Sequence, residues 1–139
     1  MNNPCVFCEI GQGAAPASIV YEDALTLAFL DLRQFHPGHV LVIPRKHLAD
    51  VRELEEITGA ALMATVARVT AAVGKAFPNQ GLSVWHSIGP AAFQEVPHLH
   101  IHIHPRLLGD DLLRVYPGKV PSSTSRERDK YSAMIREHL

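Results

Sequence analysis

The chain reads as an α+β protein, an antiparallel sheet of about five strands with one long helix and a C-terminal helix. Three observations predict this. Short β-rich runs follow one another with turn residues between them, which suits antiparallel neighbours. A single stretch, residues 54–77, carries apolar residues at intervals of three and four. Near the end, His98, His100, His102 and His104 alternate with Leu99, Ile101 and Ile103. A strand sends alternate side chains to opposite faces, so the four imidazoles share one surface and the aliphatics point into a core.

The elements follow in order. Pro4, Cys5, Val6, Phe7, Cys8, Glu9 and Ile10 form one short helical turn that ends near Gly11 and Gly13. Ile19-Val20-Tyr21 and Thr26-Leu27-Ala28-Phe29-Leu30 are two strands joined around Glu22 and Asp23. A turn through His36-Pro37-Gly38 leads to a third, His39-Val40-Leu41-Val42-Ile43, stopped by Pro44. In the long helix Leu62, Val66, Val69, Val73 and Phe77 make the buried stripe, and Pro78-Asn79 ends it. Leu82-Ser83-Val84-Trp85-His86 is the fourth strand, and the loop from Gly89 to Phe93 delivers the histidine strand. After Pro121 the hydroxyls of Ser122, Ser123, Thr124 and Ser125 cap a last helix, with Tyr131, Met134 and Ile135 as its apolar side.

At 139 residues the chain is expected to be one domain, large enough for a core without disulfides. Net charge is −1 with no basic block, which argues against a nucleic-acid partner. No apolar run long enough to cross a bilayer stands out, and the start lacks the basic-then-apolar layout of a signal peptide, so no membrane partner is expected. The two cysteines, Cys5 and Cys8, are too few and too close for a disulfide scaffold. A reducing cytoplasm with metal-held thiolates fits them better, though a pair of small buried residues is the plain alternative. Two thiolates on one turn suit zinc but need two further ligands.

The histidine strand carries a resemblance. Gln94-x-Val96-x-His98-Leu99-His100-Ile101-His102-Ile103 resembles the signature of the histidine triad (HIT) family. Ala28-Phe29-Leu30-Asp31-Leu32 and the run from Pro37-Gly38-His39 through Pro44-Arg45-Lys46-His47 resemble the family's upstream motif. The likeness runs from about Cys5 to Arg106, within one HIT domain spanning residues 1–139 whose tail, 121–139, is the C-terminal helix.

The resemblance implies a HIT-like fold and a nucleotide hydrolase or transferase, of the phosphoramidase or dinucleoside polyphosphate hydrolase kind. His100 would attack the α-phosphorus of a purine nucleotide derivative and form a covalent nucleotidyl-imidazole, which water then cleaves. His102 would hold a phosphate oxygen or help the leaving group depart, with His39 in support and Gln94 on the phosphate. Phe7, Ile10, Phe29, Asp31, Leu32 and Ser87 would receive the nucleoside, Asp31 at the ribose hydroxyls. Zinc-containing relatives complete the cysteine pair with the positions of His47 and His98, so one structural zinc per chain is expected and no catalytic metal is required. A homodimer is expected by the same resemblance. A nucleotide-binding sensor or scaffold module with negligible turnover is the alternative.

Three positions depart from the pattern. His104 replaces an apolar residue, Ser87 an amide and Phe93 a glycine. A register shifted to His100-His102-His104 fails, because Pro105-Arg106 cannot supply its trailing apolar pair and Gln94 and Val96 fit only the first.

Overall fold

A computed structural model describes residues 5–139; Pro4, assigned to the first turn from the sequence, lies outside the described residues. The elements are α1 (Val6–Gly11), β1 (Ile19–Glu22), β2 (Thr26–Leu30), β3 (Val40–Pro44), α2 (Glu56–Ala76), β4 (Gly81–Trp85), β5 (Ile101–Arg106) and α3 (Ser125–Arg136). The strands form one sheet in the order β1-β2-β3-β5-β4, every neighbour antiparallel. This is the α+β architecture the sequence predicts.

Each strand divides its side chains between two faces. One face holds Ala28, Val40, Val42, Leu99, Ile101 and Ile103 against Leu62, Val66, Val69 and Val73 of α2. Burying each of those four helix side chains contributes about 1.5–3 kcal/mol. Thr26 and Thr65 share a buried hydroxyl hydrogen bond of 2.7 Å across the same seam. The opposite face holds Leu27, Phe29, Leu41 and Ile43 with Phe7 of α1. The histidines belong to this second face.

Gly38 sets the approach of the β2–β3 turn to the end of α2. Its φ is +111°, and a Cβ there would lie 2.6 Å from the Phe77 ring and 3.0 Å from Pro105. Only glycine fits both the conformation and the space.

Several expectations need correction. The histidine strand enters the ladder at Ile101, so His98, Leu99 and His100 approach it as irregular chain. Leu99 N–H donates instead to Leu48 O at 2.6 Å. The long helix begins at Glu56, after a separate 3-10 turn at Val51–Glu53. That helix is also long and apolar enough by composition to cross a membrane, with a mean hydropathy of 1.5, contrary to the sequence reading. Its stripe packs on the sheet, as the core helix of a globular fold does. The last helix is capped by Thr124, whose side chain accepts from Glu127 N–H while the Glu127 carboxylate accepts from Thr124 N–H. Tyr131, Met134 and Ile135 are all exposed, so its apolar side covers nothing within the described chain.

Candidate functional site

Sheet register gathers the imidazoles. His102 lies opposite Leu41 on β3 and Trp85 on β4, and His104 opposite Ser83. The His102 ring stacks on Trp85 at 4.5 Å with parallel planes (1°). His39, just before β3, stacks on His102 at 5.1 Å and on Trp85 at 5.6 Å. His104 packs against His39 at 4.7 Å, and His100 meets His102 at 4.9 Å. The edge of His100 also meets Phe7 at 5.2 Å.

Backbone carbonyls set the tautomers, because a carbonyl only accepts. His100 Nδ1–H donates to His98 O at 2.6 Å, which leaves Nε2 as its lone-pair nitrogen. His39 Nδ1–H donates to Arg33 O at 3.3 Å. Its Nε2 therefore accepts from His102 Nδ1–H at 2.9 Å. His104 Nδ1–H donates to Pro105 O at 2.7 Å, and its buried Nε2 has no hydrogen-bond partner among the described residues.

Burial is the main cause that holds these rings neutral. It depresses His39, His100 and His104 below the ordinary histidine value. His102 falls furthest, to about 3, since neighbouring histidines add to the burial. A charged imidazolium in this row would lack both water and a carboxylate in hydrogen-bond contact. The nearest carboxylate among the described residues is Asp31, whose Oδ2 lies 3.9 Å from His39 Nε2 and which is within 4.8 Å of the His102 ligand nitrogen.

Cys5, Cys8, His47 and His98 converge as predicted, their ligand atoms all within 4.8 Å of one another. Cys5 Sγ lies 3.4 Å and Cys8 Sγ 3.6 Å from His98 Nδ1, and Cys8 Sγ lies 3.3 Å from His47 Nδ1. A tetrahedral zinc with ordinary Zn–S and Zn–N bonds needs S···N edges of about 3.6 Å. His98 Nε2–H donates to Pro44 O at 2.9 Å, which turns the Nδ1 lone pair toward the sulfurs. The donor set and its supporting hydrogen bond fit a metal ion. Without one, burial and the neighbouring Cys5 push the Cys8 thiol up to about 11.

A cavity of about 660 Å³ is lined by Phe7, whose ring meets His100, and by Ile10, Phe29, Asp31 and Leu32 among others. Five of the six expected nucleoside positions therefore come together. Ser87 is half-buried and outside this lining. The amide of Gln94 is engaged with backbone: Oε1 accepts from Gly89 N–H at 3.0 Å and Nε2 donates to Ala49 O at 3.0 Å. Phe93 sits at φ +62°, the left-handed conformation that glycine adopts freely.

Sequence reasoning gave Trp85 only a place in the fourth strand, and it is the stacking partner of His102 and His39. It gave His36 only a place in the turn before the third strand. His36 is largely covered, bonded through Nε2 to Asp110 Oδ2 at 3.0 Å and packed against His104 at 5.6 Å. Arg106 pairs with Asp110. His86 bonds the backbone of the same strand, Nδ1–H to His100 O at 3.2 Å.

The profile of the HIT domain matches residues 12–107. The chain belongs to the HIT domain family. It is 39% identical over 102 residues to adenosine 5'-monophosphoramidase hnt1 of Schizosaccharomyces pombe, covering 73% of this chain and 74% of that one. It is 32% identical over 144 residues to adenylylsulfatase HINT3 of Arabidopsis thaliana, covering 100% and 71%. A crystal structure of a HIT family member from Bacillus subtilis superposes with a TM-score of 0.90 at 33% identity, covering 99% of this chain and 98% of that one. HIT membership supports nucleotide binding and nucleotidyl transfer or hydrolysis in general terms.

Proposed function

We propose that this HIT protein cleaves a purine nucleotide derivative at its α-phosphate through a nucleotidyl group held on His100 Nε2. One observation carries the reading. The His100 ring is buried, neutral and fixed by His98 O, so that its free lone pair is Nε2, and the ring packs against Phe7 of the cavity wall. A neutral imidazole with one nitrogen tethered is an activated nucleophile that needs no separate base.

The steps balance as follows. His100 Nε2 forms a bond to phosphorus as the leaving group departs, and a water then takes that bond and restores His100. His102 Nδ1–H is held by His39, so its Nε2 lone pair is free. An amine leaving group takes its proton from solvent in the first step. In the second, His102 Nε2 accepts a proton from the attacking water and returns it to solvent. Asp31 faces His39 and the cavity, in position to accept from ribose hydroxyls while Phe7, Ile10, Phe29 and Leu32 flank the base. Gln94 supports the phosphate region by holding the loop from Gly89 to Phe93 against Ala49. The relatives with phosphoramidase and adenylylsulfatase names favour an amine or sulfate leaving group on an adenylate, with a dinucleoside polyphosphate next.

We assign one zinc to Cys5, Cys8, His47 and His98, closed by four protein ligands and hence structural. It would clamp α1, which carries Phe7, onto the strand that bears His100. Reduced thiolates of this kind suit a cytoplasmic setting. Residues 1–139 act as one HIT domain, and a homodimer would cover the exposed Leu82 and Val84 of edge strand β4. Sedimentation that finds only monomer at working concentrations excludes the dimer.

The test of the reaction is His100→Ala with an adenosine phosphoramidate. Turnover should fall on the order of 10³-fold or more while the variant stays folded. Quenched wild-type reactions should carry an acid-labile adenylate on His100. Saturable binding with neither adduct nor product would establish the sensor alternative instead.

A further inference from the structure

We propose a second metal site in this chain, formed by Asp31, His39 and His102, that takes an imidazole-preferring divalent cation such as zinc or cobalt. Three donor atoms converge there within 4.8 Å of one another. His39 Nε2 lies 2.9 Å from His102 Nδ1 and 3.9 Å from Asp31 Oδ2. Two nitrogens of an octahedral ion sit about 2.9 Å apart at ordinary bond lengths of about 2.05 Å. Two histidines and one carboxylate supply three ligands and leave the other positions of such an ion to water or an added ligand.

The surroundings are built as a metal site requires. His39 Nδ1–H donates to Arg33 O, the outer hydrogen bond that orients a ligating histidine and keeps its other nitrogen unprotonated. Asp31 Oδ1 accepts from Arg33 N–H at 2.8 Å, while Oδ2 accepts no hydrogen bond among the described residues. The turn between the two ligands is rigid. Asp31 N–H donates to His39 O at 3.0 Å, and the Gln34 amide bonds Asp31 O, His39 O, Gly38 N–H and His39 N–H. Asp31 lines the open cavity, which gives an ion its route in.

Protons balance without release. The proton now shared between His102 Nδ1 and His39 Nε2 moves to His102 Nε2, and the cation takes its place. The donor set, two nitrogens and one oxygen, differs from the two sulfurs and two nitrogens of the cysteine cluster. Occupation ties up the imidazole beside His100, so excess metal would inhibit the enzyme. That consequence rests on the proposed reaction, whereas the site itself does not.

The experiment is a titration of protein carrying one zinc per chain, in the cysteine cluster alone, with cobalt(II), followed by visible absorption and calorimetry without nucleotide. Wild type should bind one cobalt per chain with ligand-field bands and no thiolate-to-cobalt charge transfer. Asp31→Asn and His39→Gln should each weaken that binding by at least about 100-fold, more than loss of an outer-shell partner costs. Both should keep their zinc, which shows that the fold and the cysteine cluster are intact. Glu95→Gln, which removes another carboxylate lining the cavity, should leave binding unchanged. Absence of cobalt uptake outside the cysteine cluster overturns the site. So does uptake that survives both ligand variants, or that falls equally with Glu95→Gln.

Discussion

Lowering the pH from about 7.5 to about 5 should destabilise this protein through the buried imidazole row, and His102 sets the scale. Burial and neighbouring histidines move this ring from 6.5 to about 3 in the folded chain. The unfolded chain takes up the proton near 6.5 and the folded chain does not, so ν is larger in the unfolded state. Stability from this group is complete above 6.5, falls by about 1.4 kcal/mol per pH unit below it, and levels off near 3. At about pH 5 the unfolded ring is protonated about 30-fold over neutral, a loss of about 2 kcal/mol. Urea unfolding of wild type and His102→Gln at both pH values isolates it, since glutamine keeps a donor for His39 Nε2. The wild type should lose about 2 kcal/mol more than the variant between the two pH values. Losses that agree within about 0.5 kcal/mol would mean that His102 protonates freely in the folded protein, and the burial argument fails. His39, His100 and His104 are depressed in the same direction, so the wild-type total should exceed the His102 share.

Further outcomes follow from single contacts. Phe93→Gly should stabilise by about 1 kcal/mol in thermal unfolding, because it relieves a left-handed non-glycine residue whose ring is exposed. Gly38→Ala should cost about 2–3 kcal/mol in urea, since the new methyl meets Phe77 and Pro105 at a positive φ. Chelation of the proposed zinc should release one ion per chain by elemental analysis. Amide exchange should then quicken in α1 and around His47 while the sheet core stays protected, because Leu62, Val66 and Leu99 lie in the other apolar cluster.

What the sequence determined by itself is whatever repeats at short range. Alternation marked the histidines for one face and Leu99, Ile101 and Ile103 for the other, although the strand itself begins only at Ile101. Spacing of three and four put Leu62, Val66, Val69 and Val73 under the sheet. Both follow from backbone periods that a few residues suffice to reveal. The convergence of Cys5, Cys8, His47 and His98 was legible only through family resemblance, as no local period links positions 93 residues apart. Tertiary structure alone decided the rest. Strand register brought Trp85 opposite His102, and a contact 74 residues long took His36 to Asp110. Packing of the loop from Gly89 to Phe93 gave the Gln94 amide to Ala49 and Gly89. A side chain's face is fixed by its own neighbours in the chain, but its partner depends on which distant segment the sheet lays beside it.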